Sequence, residues 1–109
     1  MREGTSSDVA LVDAGAGRIQ VRGSLTFATA RRARDEGARL LAASASAPLE
    51  IDCAAVTASD SAGLAVLLDW LVLAHRQGRA LHFSGLPEPI RAVAQISDVE
   101  TYLNQGLAE

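Results

Sequence analysis

The amino-acid sequence predicts an α/β domain, a mixed sheet of about four strands with helices packed against it, in the order ββαβαβαα. Three observations predict it. Short β-prone segments stand near 9–12, 18–22, 49–53 and 80–84. Between them lie two longer segments, near 26–43 and 62–77, whose apolar residues recur every three or four positions, the period of a helix with one buried face. Gly, Pro and Ser punctuate the segments, and no internal repeat or low-complexity block interrupts the order.

Residues 1–7 are small and polar and read as a flexible tail, leaving 8–109 as one domain. The runs 9–12 and 18–22 are joined by Asp13, Ala14, Gly15, Ala16 and Gly17, a linker of hairpin length, so the chain opens on an antiparallel pair. Thr26 stands where a helix N-cap is expected, and Phe27, Ala30, Ala33, Gly37, Leu40 and Leu41 follow as the apolar face of a helix reaching about Ala43. The Ser/Ala/Pro stretch 44–48 ends it. Leu49, Ile51 and Cys53 then alternate with Glu50 and Asp52 in a strand that delivers the chain to Ser61. The helix predicted over 62–77 turns Leu64, Leu67, Leu68, Leu71 and Ala74 towards the sheet, and Gly78 suits its left-handed close. In the fourth strand Leu81 and Phe83 share one face and His82 the other. Pro89 fits the first turn of a third helix carrying Ile90, Val93 and Ala94, and Val99, Tyr102 and Leu103 mark a short fourth.

A chain of 109 residues buries about 65% of its unfolded surface by size scaling, enough for one ordinary core. With 49% hydrophobic and 21% charged residues it sits in the globular range. No apolar run approaches the roughly 18 residues of a membrane span, and the first ten residues lack the apolar middle of a signal peptide, so a cytoplasmic location is expected. Cys53 has no second cysteine to pair with, and its alternating apolar setting points to a buried, reduced thiol. The net charge is −3 and all ten basic residues are Arg, which excludes lysine Schiff-base chemistry and a lysine-bearing phosphate loop. Arg31, Arg32, Arg34 and Arg39 share one predicted helix. Asp35 and Glu36 interrupt them and no aromatics interleave, so they read as a solvated face rather than a nucleic-acid surface.

Ser61, between Asp60 and the run Ala62, Gly63, Leu64, stands where the second helix begins. Its hydroxyl either caps that helix or sits at a site that attracts an anion or phosphoryl group. A nucleophilic serine needs a base, and neither His75, near a helix C-terminus on the apolar stripe, nor His82, on a strand, is placed to serve. Ser59 also stands where a nucleophile elbow requires glycine, which argues against a hydrolase. Two histidines and one cysteine without close pairing make no zinc site, and the glycines form no nucleotide fingerprint, so no cofactor is expected. Asp52 and Asp60 are either paired carboxylates flanking Ser61 or ordinary cap and turn residues, and the second reading is favoured by the preference of Asp for such positions. Val66, Trp70 and Leu73 point away from the sheet-facing stripe. Either another helix covers them or they form a partner surface rimmed by Asp69, Arg76 and Gln77; an indole among aliphatics favours the partner surface. A lipid carrier is excluded by size, since a close-packed domain this small has no room for acyl chains.

The segment DSAGL at 60–64, preceded by the apolar strand through Asp52, resembles the signature of the STAS domain, the fold of anti-sigma factor antagonists. The likeness continues through LAVLLDWL at 64–71, GRALHFSGLP at 78–87 and the helix after Pro89, covering residues 8–105. Within that superfamily the tryptophan of DWL, the LP pair at 86–87 and the short length are most similar to the MlaB family. Its members are small cytoplasmic subunits of the Mla phospholipid ABC transporter, which maintains outer-membrane lipid asymmetry in Gram-negative bacteria. The resemblance implies a non-catalytic STAS fold that binds the MlaF-like ATPase subunit of a larger membrane complex and supports its assembly and activity. It further implies a location peripheral to the inner membrane, with no membrane insertion and no nucleic-acid partner. It places Ser61 where antagonists carry the phosphorylated Ser or Thr and where MlaB-like proteins have a Ser or Thr important for function, with Asp60, Ala62, Gly63 and Leu64 at the motif positions around it. The alternative in the same superfamily is an anti-sigma factor antagonist whose Ser61 is phosphorylated by a kinase-type anti-sigma factor.

Overall fold

A two-residue turn, Ala16 and Gly17, folds β1 (Val9–Gly15) back onto β2 (Arg18–Leu25) in a computed structural model that describes residues 8–44 and 49–96 with Val99, Thr101 and Leu103. Both turn residues have positive φ, 54° and 80°, the geometry whose twist matches that of the paired strands. The strands run further than the sequence suggests, so the connection is shorter than the five-residue linker expected from its glycines.

The remaining elements are α1 (Ala30–Ala43), β3 (Leu49–Ser59), α2 (Ser61–Arg76), β4 (Leu81–Ser84) and α3 (Glu88–Ile96). The sheet order is β1-β2-β3-β4, with β1 and β2 antiparallel and the other two pairings parallel, so the sheet is mixed and four-stranded. Two parallel crossovers advance in the same direction across it. Because such crossovers are right-handed, α1 and α2 lie side by side on one face. Burial follows this layout: Ile19, Val21, Leu49, Ile51 and Leu81 are buried on the helical side, whereas Arg18, Arg22 and His82 are exposed on the other. Beyond α3, Thr101 and Leu103 are helical and Leu103 is in the core, where the fourth helix was expected. Tyr102, the expected tail at 1–7 and the helix-ending stretch at 45–48 lie outside the described residues. Among the described residues no helix is long and apolar enough to cross a membrane.

The neighbourhood of α1 and α2 corrects the expected partner surface. Val66 and Trp70 are core residues, 3% and 1% exposed, and Leu73 is half-buried. The physical reason is that α1 covers the outer flank of α2 and turns two small residues, Ala33 and Gly37, towards it. The indole lies against Gly37, and its Nε1 donates a hydrogen bond to the Arg34 carbonyl at 3.3 Å. His75 also departs from expectation. It is exposed in the last turn of α2, because Ala74 takes the buried position and the next residue is rotated about 100° around the helix.

Candidate functional site

Asp60 leaves β3 in an extended conformation and is the N-cap of α2. Its Oδ1 accepts hydrogen bonds from the Ala62 and Gly63 backbone N–H groups at 2.9 and 3.1 Å. Ser61 is therefore the first helical residue and not the cap, and its side chain is exposed. The aspartate also brings a second acceptor oxygen: Oδ2 takes the N–H of Phe27, in the β2–α1 loop, at 3.1 Å. One carboxylate thus joins the helix start to a loop 33 residues earlier in the chain.

The other motif residues bring these segments together. A Cβ on Gly63 would lie 2.2 Å from the Leu25 carbonyl oxygen, so only glycine lets the first turn of α2 approach the end of β2 this closely. Leu64 is buried and anchors the turn, and Ala62 is half-buried beside it. The result is a rigid corner from which the Ser61 hydroxyl projects.

Phe27 stands on the same corner, and its ring is 84% exposed. Helical spacing had placed it in the core, but α1 begins only at Ala30, with Thr29 as N-cap in place of Thr26. The Thr29 hydroxyl donates to the Ser24 carbonyl at 2.8 Å and accepts the Thr26 N–H at 3.1 Å, which holds 26–29 as a loop. The signal in the sequence was the second threonine: two candidate caps three residues apart leave the helix start undecided between them. From Phe27 a groove of about 410 Å³ runs between α1 and α2 over Ala30, Ala62 and Ala65, with Arg31 and Arg34 on one wall and Asp69 on the other. A neighbouring depression of about 400 Å³ continues it past Leu73 and Arg76, over the edge of the Trp70 side chain.

The two aspartates do not meet. Asp52 is the fourth residue of β3 and Asp60 follows its last, about 25 Å apart at the ordinary strand rise, because the strand runs on to Ser59. Asp52 accepts the Ala54 N–H at 3.0 Å and an Arg18 guanidinium N–H at 2.9 Å, and these bonds hold its carboxyl below the ordinary carboxylate range. Asp60 is a helix cap and Asp52 a strand residue held in an ion pair with Arg18, so the two carboxylates do not form a pair around Ser61. Cys53 is buried, and desolvation, with a smaller contribution from the Asp52 charge, pushes its thiol up to about 12. The arginines of α1 are exposed; Arg32 pairs with Asp8 and Arg39 with Glu36, as a solvated face should. Among the described residues no group of three or more His, Cys, Asp or Glu side chains is arranged to hold a metal ion. At this corner the Ser61 hydroxyl and the Phe27 ring both stand exposed.

No curated protein matches the sequence. The solved structure of the anti-sigma factor antagonist SpoIIAA in its unphosphorylated form is similar, with a TM-score of 0.67 over 86% of this chain and 84% of that one, at 14% identity, which shows a shared fold. A family model described as "Mlab, STAS domain" matches residues 9–107. STAS domains are generally regulatory and interaction domains. The family match spans every described element, so this chain belongs to the MlaB-type STAS-domain family.

Proposed function

We propose that the chain is the STAS subunit of a phospholipid ABC transporter that maintains outer-membrane lipid asymmetry, and that it docks on the transporter's cytoplasmic MlaF-like ATPase and supports its assembly and activity. The observation that carries this reading is the MlaB-type family match over residues 9–107. The likeness to SpoIIAA concerns the fold, which transporter subunits and antagonists share. The docking surface in this reading is the corner built by Asp60, Ser61, Ala62, Gly63 and Leu64, extended by Phe27 and by the groove that ends at Leu73. Val66 and Trp70 support it from beneath. The subunit sits at the inner membrane through its partner.

Affinity purification of the tagged chain from its native host, followed by mass spectrometry, tests the reading. An ABC-transporter ATPase is expected in the eluate. A sigma-factor kinase without any such ATPase would overturn the proposal in favour of an antagonist regulated at Ser61. Ser61→Arg is expected to abolish ATPase capture while circular dichroism stays native, since the side chain is exposed and carries no capping bond.

A further inference from the structure

We infer that Asp60 is a positioning residue for partner binding, whose second carboxylate oxygen holds Phe27 beside Ser61 as a pre-set apolar anchor. The inference rests on the docking reading above and adds to it a mechanism and a residue that no family motif position supplies, namely Phe27.

A helix cap needs one acceptor oxygen, and Oδ1 alone takes both N–H groups of the first turn. Asn and Ser cap about as well as Asp for that reason. The Oδ2 bond to Phe27 is therefore surplus to the helix, and its effect falls on the loop. The loop's other ties lie on its far side, where Thr29 holds Thr26 and Ser24. Phe27 thus has its backbone pinned from two directions while its ring, 84% exposed, is held by almost no packing. A ring whose point of attachment is fixed by its backbone and which is open to solvent is suited to contact a partner: aromatic anchors add large apolar area, and ordering the loop that carries them before the encounter removes a cost from binding. Arg31 and Arg34 stand beside it along the groove, so the surface that receives the ring is expected to be apolar at its centre and acidic towards α1.

Asp60→Asn separates the two tasks. An amide has one acceptor oxygen and one donor group, so it caps α2 or receives the Phe27 N–H, but not both. The probe is the ATPase subunit that co-purifies with the chain, titrated against purified variants. Asp60→Asn is expected to keep a native thermal midpoint, to lose hydrogen-exchange protection at the Phe27 amide, and to bind about tenfold more weakly through the restored ordering cost. Phe27→Ala is expected to weaken binding about 30-fold, the scale of a central aromatic contact. In the Phe27→Ala background Asp60→Asn should add less than about twofold, because the anchor it positions is gone. Wild-type affinity for Asp60→Asn, or equal losses from it in both backgrounds, would overturn the inference while leaving the docking reading intact. Undiminished binding by Ser61→Arg would remove the docking reading itself, and the role of Asp60 with it.

Discussion

Gly37 of α1 leaves the space that the Trp70 indole of α2 fills: a Cβ at position 37 would lie 2.2 Å from Cε2 and 2.3 Å from Nε1 of the ring. The pair turns an outward-facing tryptophan into a core residue. Two opposing effects meet in Gly37→Ala. In an open helix the change adds roughly 1 kcal/mol of stability through propensity, whereas overpacking a filled core costs about 1–3 kcal/mol or more. The steric effect should win, because the ring is 1% exposed and has nowhere to retreat. Urea denaturation is expected to show net destabilisation with a red shift of tryptophan emission in the native baseline. Net stabilisation would show that the helices separate without cost.

The capping bonds around α2 make a second, asymmetric prediction. Asp60→Ala removes acceptors from three N–H groups and should cost about 1–2 kcal/mol, the upper range for a lost N-cap. Ser61→Ala should change stability by less than about 0.5 kcal/mol, as expected of an exposed site without a structural bond. Paired chemical denaturation of the two variants checks the order, and a larger loss at Ser61 would reassign the cap.

Cys53 is expected to resist thiol reagents in the folded protein. Its thiol is pushed up to about 12 and its side chain is 1% exposed, so almost no thiolate is present at neutral pH and little of it is reachable. A disulfide-exchange reagent should label it at the rate of global unfolding and rapidly in denaturant. Fast labelling under native conditions would contradict its burial.

Asp52 should leave a signature in acid. Its native carboxyl titrates below the ordinary value of 3.8, held there first by the Ala54 N–H and then by the Arg18 guanidinium. A group with a lowered native value stabilises the fold fully above its unfolded value and loses that contribution as pH falls through the native one. The stability difference between the wild-type chain and Asp52→Asn should therefore be constant above about pH 5 and shrink progressively below pH 4. Denaturation midpoints measured from pH 7 to pH 3 test this, and a gap that widens on acidification would reverse the assigned direction. Arg18 and Asp52 lie near the turn end of β2, far from Ser61, so partner binding should be insensitive to this change.

Read alone, the sequence determined the elements, their order and the family. Periodicity placed α2 within a residue of its observed bounds, because capping and the glycine close are local events: Asp60 binds its own first turn, and Gly78 turns left-handed directly after it. Alternation predicted Cys53 as buried, and the helix between β2 and β3 made their parallel pairing the natural topology. The DSAGL segment was legible because each of its residues meets a constraint of its own. Tertiary structure alone decided which apolar flank of α2 stays open. A helix that is apolar on two sides states that both are covered by something, but not whether the cover is its own domain; here the small residues of α1 close over Trp70. It also decided between two adequate caps, Asp60 and Ser61, and between two helix starts, Thr26 and Thr29. At the first, the Asp60 carboxylate also accepts the Phe27 N–H of a segment 33 residues earlier; at the second, the Thr29 hydroxyl donates to the Ser24 carbonyl five residues back. Local propensity is blind to the Phe27 N–H because it becomes a neighbour of Asp60 only when the sheet brings the end of β2 against the end of β3.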